Sequence, residues 1–561
     1  MSQDFIQNSP NFNSALNKNY ILKAILNTLI PSQFYTEIFH DLETFENKII
    51  EYIEQIGHQA ELHPPTLTKY SPWGQEINQI NVSSFWKELH EFSASEGLIT
   101  EGYIRRFKEF SRLFQLSKLY LFHPSSAFYS CPLAMADGAA KVLEHFKNQN
   151  SLFKNAFDHL ISKDPKEFWT SGQWMTEKTG GSDISQTSTY AQKHEDHYLL
   201  SGIKWFSSAT TSEMALGLAR VISDQTSESH KSSKLSLFYI PMRNQDGSLN
   251  GIEVLRLKEK LGTKALPTAE LKLKDTKAYL IGELGQGVKT VAMMLNITRI
   301  YNSICSVAQM ERALSYLEDY STKRIVFGQK LIDQPLHIQN VAELKALHFS
   351  SSAITFYVSK LLGEEETSII SESNKVMLRL LTPIAKMYTA KLAVKITSEV
   401  IEGIGGAGYV EDTKIPVLFR DAQVFPIWEG ATNVLSLDFL RVLKKSNTIE
   451  ILLKDCEIKL NYIKSKNQDL AFNLETNYKI LKNFIVKNGN QTEDAFWQSV
   501  AKEFSWGLAE VYSGLLMAEI AIHNSEDVRL EALLRIFNQK IKINLLENPI
   551  HNLNLCRQVL S

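Results

Sequence analysis

Cysteine is scarce in this chain. Four thiols occur in 561 residues, Cys131, Cys305, Cys456 and Cys556, with no CxxC pair and no histidine at metal-finger spacing. That excludes a disulfide-stapled secreted domain, gives no reason to expect a metal site, and leaves the thiols reading as buried side chains in a reducing compartment. Neither sign of charge is in excess. Sixty Lys and Arg against 62 Asp and Glu leave a formal net charge of -2, so no global field draws the molecule to nucleic acid or to an anionic membrane. No stretch approaches the roughly 18 apolar residues that a membrane span requires. The N-terminal MSQDFIQNSPNFNS lacks the basic-then-apolar order of a secretory leader, and a cytoplasmic location is the expectation. Alternation of strand and helix patterns is missing too, which argues against a parallel α/β sheet.

What is present suffices for several hydrophobic cores. The chain is 44% hydrophobic and 22% charged, and its 561 residues exceed the roughly 250–300 at which a single core stops growing. Residues 1–165 carry apolar side chains at helical spacing, as in YILKAILNTLI and FENKIIEYIEQI. The turn-rich HPPTLTKYSPWGQ interrupts them and reads as a loop, because Pro64 and Pro65 cannot sit inside a helix. Residues 166–287 change to short, partly alternating segments, YLLSGIKWFSS, EMALGLARVI, SKLSLFYIPM and TAELKLKDTKAYLI, which predict a small β-domain. Within it the polar QTSESHKSSK, Gln225 to Lys234, reads as a loop. Helical patterning resumes over 288–445 and continues over 446–561, where Trp497, Phe504, Trp506 and Leu508 are among the apolar anchors. The last segment holds 13 basic and 14 acidic residues, a net of -1. Helices, then strands, then helices predict an α+β class, mostly α, with segregated layers.

Two stretches stand out chemically. SGQWMTEKTGGSDISQTSTYA, Ser171 to Ala191, gathers hydroxyls (Thr176, Ser182), a glycine pair (Gly180, Gly181) and Asp183 at the entrance of the β-domain. Such a loop is either an ordinary turn or a backbone able to approach a ligand closely. In GIKWFSSAT, Trp205 and Phe206 alternate on a strand, so one is expected to face the core and the other away, as a wall for a planar ring.

MTEKTGGSD followed by GIKWFSS resembles the paired flavin-binding loops of acyl-CoA dehydrogenases. Three further segments extend the resemblance in order: RIVFGQKL (Arg324 to Leu331), GGAGY (Gly405 to Tyr409) and RDAQVFPIWEGATNV (Arg420 to Val434). MTEK, KWFSS, WEG, the N-terminal HPPTLTKYSPWGQEI and the extra C-terminal helices are most similar to the AidB-type, alkylation-response branch. The resemblance implies an N-terminal helical domain, a central β-barrel, a four-helix bundle and a helical C-terminal extension. It also implies FAD as cofactor, an acyl-CoA substrate, and removal of an α-proton with hydride transfer from the β-carbon to the flavin.

Residue by residue, Glu429 matches the family's base, with Ile427, Trp428 and Ala431 expected to keep water from it and so raise its proton affinity. The alternative position of the base, on an earlier helix, is Thr298 here, which cannot serve. Arg299 matches the arginine near the base. Met175, Thr176, Gly181, Ser182, Phe206, Ser207 and Ser208 match the flavin loops. Arg324 and Phe327 match an arginine and an aromatic that reach a neighbouring subunit's FAD, where a planar guanidinium suits a diphosphate. Gly405, Gly406, Thr432 and Asn433 match the remaining cofactor contacts, and Ser182 and Gly430 the substrate contacts. The family's usual assembly is a tetramer. Two departures are visible: Ala431 lacks the hydroxyl that most relatives carry, and Glu402 stands where many have Gln. No motif distinguishes a protein electron acceptor from oxygen. Some AidB-type relatives meet DNA through a basic C-terminal region, and the -1 balance over 446–561 argues against that role here, although Lys479, Lys482 and Lys487 could form a stripe.

Overall fold

In this computed structural model the described residues are 7–12, 15–222, 234–445, 447–489, 491–541, 550 and 557–558. Cys556 and residues 225–233 of the polar segment in the β-region lie outside them. The chain divides into two compact units, one of Lys48–Arg106 and Phe122–Tyr301, the other of Met1–Asn47, Phe107–Leu121 and Asn302–Ser561.

The first unit is built on a sheet. A hairpin, β1 (Thr66–Tyr70) and β2 (Glu76–Asn81), precedes β3 (Ser171–Trp174), β4 (Tyr190–His194), β5 (His197–Ser208), β6 (Met214–Ile222), β7 (Leu235–Pro241), β8 (Ile252–Leu257) and β9 (Thr268–Ile281). Pairing runs β6–β4–β5–β9–β7 and returns from β7 to β6, with β3 added to β6 and β8 to β9. The ring closes on itself, which is the expected barrel, so that each of its five strands is paired on both sides. Inward positions such as Leu200, Ala219, Phe238, Ile240 and Leu271 form its core, while intervening residues of β5 and β9 face out. Helices Glu54–Leu62, Ser84–Ser95, Ser130–Phe146 and Ser151–Leu160 belong to the same unit. Fully buried Asp137 accepts hydrogen bonds there from Tyr103 Oη at 2.8 Å and Tyr301 Oη at 2.7 Å.

The stretch read as a loop, HPPTLTKYSPWGQ, is instead this β1–β2 hairpin. Thr66, Thr68 and Tyr70 supply β-branched and aromatic residues at period two. Leu67 and Ile80 pack against the barrel core. The Pro pair therefore marks the strand's entry, and Pro-Trp-Gly the turn, where Ser71 N–H donates to Gln75 O at 2.8 Å and Gly74 takes a φ of 82°.

The second unit is helical. Helix Pro335–Glu366 lies against Glu372–Ile404 and Asp494–His523, and Thr432–Leu443 packs on the latter two. Ser371 caps Glu372–Ile404 by accepting the Asn374 N–H. Buried Arg112 holds buried Glu366 through two parallel hydrogen bonds, 2.5 Å from Nε and 2.9 Å from Nη2, fastening the Ser111–Phe122 helix to the bundle. Trp497, Phe504 and Leu508 are buried in Asp494–His523 as expected, and Trp506 packs edge-on against Tyr388 at 4.8 Å. Cys131, Cys305 and Cys456 are buried and form no disulfide among the described residues.

Candidate active site

In the barrel unit, the two flavin-like loops are held side by side. Trp205 N–H donates to Thr176 O at 3.0 Å, and Glu177 and Gly180 exchange backbone hydrogen bonds at 3.1 and 3.2 Å, curling the glycine-rich segment back. A buried ion pair locks this arrangement: Lys204 Nζ lies 2.7 Å from Glu177 Oε1, and both side chains are almost fully buried. Glu177 also accepts from Ser188 N–H and Oγ at 2.7 Å each and from Thr189 Oγ1 at 2.6 Å. Burial pushes its carboxyl up, but the Lys204 charge and these donors prevail and hold it below the usual carboxylate range.

Met175 is buried, Thr176 half-buried, and Gly181 and Ser182 exposed, with Asp183 accepting from Ser185 N–H at 2.9 Å. Ser208 Oγ is 3.1 Å from Thr268 Oγ1. Ser207 is 1% exposed, and its Oγ has no hydrogen-bond partner among the described residues. The expectation that Trp205 or Phe206 faces the core is corrected. A register shift between Lys204 and Ser207 breaks the alternation. The core-facing place goes to Lys204, leaving Trp205 half-buried and Phe206 54% exposed. Lys258 Nζ lies over both rings, 3.8 Å and 4.5 Å from their centroids. In the same unit, Arg299 is half-buried on helix Gly287–Lys323, one residue after buried Thr298.

In the helical unit, Glu429 sits on a short curled segment ahead of helix Thr432–Leu443, with a φ of +55°; Gly430 follows at +102°. A non-glycine residue in the left-handed region costs roughly 1–2 kcal/mol. Long-range hydrogen bonds hold the segment. Gln309 Nε2 donates to Leu418 O at 2.9 Å, Asn302 Nδ2 to Phe425 O at 3.2 Å, and Lys386 Nζ to Trp428 O at 2.6 Å and Gly430 O at 2.7 Å. Ion pairing of Arg420 with Glu411 ties down its start. Glu429, Gly430 and Thr432 are half-buried and Asn433 is exposed. The expected shielding by Ile427 is corrected: its side chain is 68% exposed, because the turn before Glu429 directs it outward.

Arg324 and Phe327 lie on a two-stranded hairpin, β10 (Ile325–Val326) and β11 (Gln329–Lys330). Arg324 Nη1 donates to Gln7 Oε1 at 3.2 Å, while Phe327, at the turn, is 98% exposed. Gly405 and Gly406 end helix Glu372–Ile404, with Glu402 exposed on its last turn. Gly403 packs on Leu317 and His337, and His337 Nε2 lies 2.7 Å from Ser321 Oγ, so the glycine turn and the hairpin share one end of the bundle. A Cβ added at Gly405 or Gly406 would meet nothing within 4 Å, leaving backbone open to close approach.

These features suit a planar, phosphate-bearing cofactor. In the barrel unit, an unsatisfied buried hydroxyl at Ser207 and a half-exposed aromatic at Phe206 offer a hydrogen bond and a ring contact; in the helical unit, by itself, the open glycine backbone at 405–406 offers close approach to a phosphate. Sequence reading missed Glu177–Lys204, Lys258 and Lys386. Only Lys386 carried a signal, as a lysine amid the apolar Leu380, Leu381, Ile384, Met387 and Tyr388.

Comparison with known proteins decides the family. Residues 285–444 match the acyl-CoA dehydrogenase C-terminal domain, 172–276 the acyl-CoA dehydrogenase middle domain, and 35–164 the adaptive response protein AidB N-terminal domain. Caenorhabditis elegans acyl-CoA dehydrogenase family member 11 is 42% identical over 93% of this chain and 86% of its own length. The chain belongs to the acyl-CoA dehydrogenase family. The family is FAD-dependent. A crystal structure of Caenorhabditis elegans ACDH-11 in complex with C11-CoA superposes with a TM-score of 0.96 at 39% identity, covering 100% of this chain and 97% of that one. The putative acyl-CoA dehydrogenase AidB of Escherichia coli is 29% identical over 79% of this chain and 78% of its own. No helix among the described residues is long and apolar enough to cross a membrane.

Proposed function

We propose that this acyl-CoA dehydrogenase introduces an α,β double bond into a medium-to-long or otherwise bulky acyl-CoA, in the cytoplasm, with Glu429 as base. The observation carrying this reading is a single carboxylate presented on a curled, half-buried backbone at the motif position. FAD, when bound, supplies the acceptor for the β-hydride. Glu429 takes the α-proton through a carboxylate oxygen, and Arg299 keeps the base region in place. Thr176, Ser207 and Ser208 offer hydroxyls to the ring, Met175, Gly181 and Phe206 line it, and Ser182 and Gly430 approach the thioester arm. Arg324, Gly405, Gly406, Thr432 and Asn433 serve the nucleotide part.

Anaerobic titration with acyl-CoAs of graded length, C11-CoA among them, tests the reading. The flavin absorbance should bleach with wild type and not with Glu429→Gln, while both bind the ligand; bleaching by Glu429→Gln at the wild-type rate refutes it.

A tetramer completes the reading. Phe327, Ile325 and Leu336 stand 98%, 63% and 78% exposed on and beside the hairpin, an apolar group suited to cover by a second copy. Light scattering of the purified protein should give four chains per particle. The AidB likeness also raises association with DNA, but Lys479 pairs with Glu475 at 2.9 Å and Lys482 with Glu457 at 2.8 Å, spending two members of the stripe; Lys487 is exposed. Gel-shift at low salt should show no tight duplex binding.

A further inference from the structure

We infer that Lys386 is a positioning residue for Glu429, closing the backbone around the base into a fixed curl; the inference rests on Glu429 being the base. Lys386 lies on helix Glu372–Ile404 and is fully buried, flanked in sequence by buried Ala385 and Met387. A long cationic side chain in that setting needs acceptors for its N–H groups. Two of them are the carbonyls of Trp428 and Gly430, at 2.6 and 2.7 Å.

The choice of these carbonyls matters. One belongs to the peptide plane entering Glu429, the other to the plane leaving Gly430. A single Nζ atom orients both, so residues 428–430 form the arc of a ring closed by Lys386. Glu429 and Gly430 both hold positive φ within that arc, a conformation disfavoured at a glutamate. With the planes on either side of the Glu429–Gly430 pair held by one amine, the backbone between them is confined, and with it the Cα–Cβ direction of Glu429 and the reach of the carboxylate. Lys386 touches neither the proton nor the substrate in this role.

Removing the amine should therefore leave ligand binding intact and slow the proton transfer, because a displacement of about 1 Å at a reacting group costs on the order of 100-fold in rate. The FAD-loaded full chain is mixed anaerobically with the acyl-CoA that bleaches wild type fastest, comparing wild type, Lys386→Met, Lys386→Gln and Glu429→Gln. The flavin reduction rate constant should fall about 100-fold in Lys386→Met and less in Lys386→Gln, which keeps one amide donor. The acyl-CoA Kd should stay within threefold. Exchange of the substrate α-proton with deuterated solvent, followed by NMR, should slow in parallel.

A Lys386→Met reduction rate within threefold of wild type, or a loss carried wholly in Kd, overturns the inference. A fully active Glu429→Gln defeats the base assignment whatever Lys386 does, whereas an inactive Glu429→Gln beside a wild-type-like Lys386→Met defeats the positioning role alone. If Lys386→Met fails to fold, Lys386→Gln decides by the same criteria. Failure of both to fold also overturns the inference, since Lys386 would then belong to the folding core.

Discussion

Replacing Lys204 by methionine should destabilise the barrel unit in a manner that depends on pH. The substitution keeps the length of the apolar stem and deletes the charge that lies 2.7 Å from buried Glu177. Breaking a buried ion pair from one side costs about 3–5 kcal/mol, because the surviving charge is left uncompensated. Ser188 and Thr189 still donate to Glu177, which places the expected cost near the lower figure. For a unit of this size each kcal/mol moves the melting temperature by roughly 2–4 °C, so a fall of about 6–12 °C at pH 7.5 is expected. The sign with pH follows from Glu177. In wild type its folded carboxyl is held below the usual range, so its stabilising contribution is present above the unfolded value of about 4.3 and is lost as pH falls through the folded value. Without Lys204 burial dominates and raises the carboxyl instead, a penalty that exists only where the unfolded group is ionised. The deficit of Lys204→Met should thus be largest at pH 7.5 and shrink by pH 5. Glu177→Gln/Lys204→Met should recover part of the loss at pH 7.5. Differential scanning calorimetry at both pH values checks this; a melting temperature within 2 °C of wild type, or an equal deficit at both, refutes the reasoning.

Gly406→Ala should fold with stability within about 0.5 kcal/mol of wild type, because the added methyl meets nothing within 4 Å. If that open backbone receives the cofactor, FAD should be released at least tenfold more readily, read as flavin fluorescence on dilution. Burial raises the Glu510 carboxyl to about 7, with the Trp506 N–H and Lys395 opposing. An acid raised on folding destabilises above its unfolded value of about 4.3, and the penalty grows until pH passes the folded value. Glu510→Gln should therefore gain on the order of 3–4 kcal/mol at pH 8 and nothing near pH 4, as measured by chemical denaturation.

Periodicity in the sequence was enough to order helices, strands and helices, because each segment buries one face and its apolar spacing records which kind of element does so. Segments 198–208 and 268–281 announced a sheet in this way. Punctuation residues were less informative about what lies between them. Pro64, Pro65 and the Pro-Trp-Gly of 72–74 mark the ends of strands rather than a loop, since a hairpin needs breakers at its entry and its turn. At 205–206 a register shift replaced strict alternation, and a lysine took the inward place because a carboxylate awaited it at 177. That partner lies 27 residues away, and no local pattern encodes it. The candidate site residues stand in contiguous motifs, where a sequence displays them; the residues that hold those segments in place lie far away along the chain, where it does not.

Glu429 shows why that division arises. A carboxylate must stand at 429 for the proposed chemistry, yet its backbone occupies a region that favours glycine, at a cost of roughly 1–2 kcal/mol. Glycine would relieve the strain and abolish the side chain, so the conformation has to be enforced from outside the motif. Gly430 permits the next turn of the curl but cannot impose it, being equally free to extend. Enforcement comes from donors on other helices: Asn302 at Phe425, Gln309 at Leu418, and Lys386 on both sides of Glu429, 42 and 44 residues before its two acceptors in the chain. The EG pair supplies the acid and the hinge, and the bundle supplies the geometry. Loss of packing in the helical unit should therefore displace Glu429 through these donors.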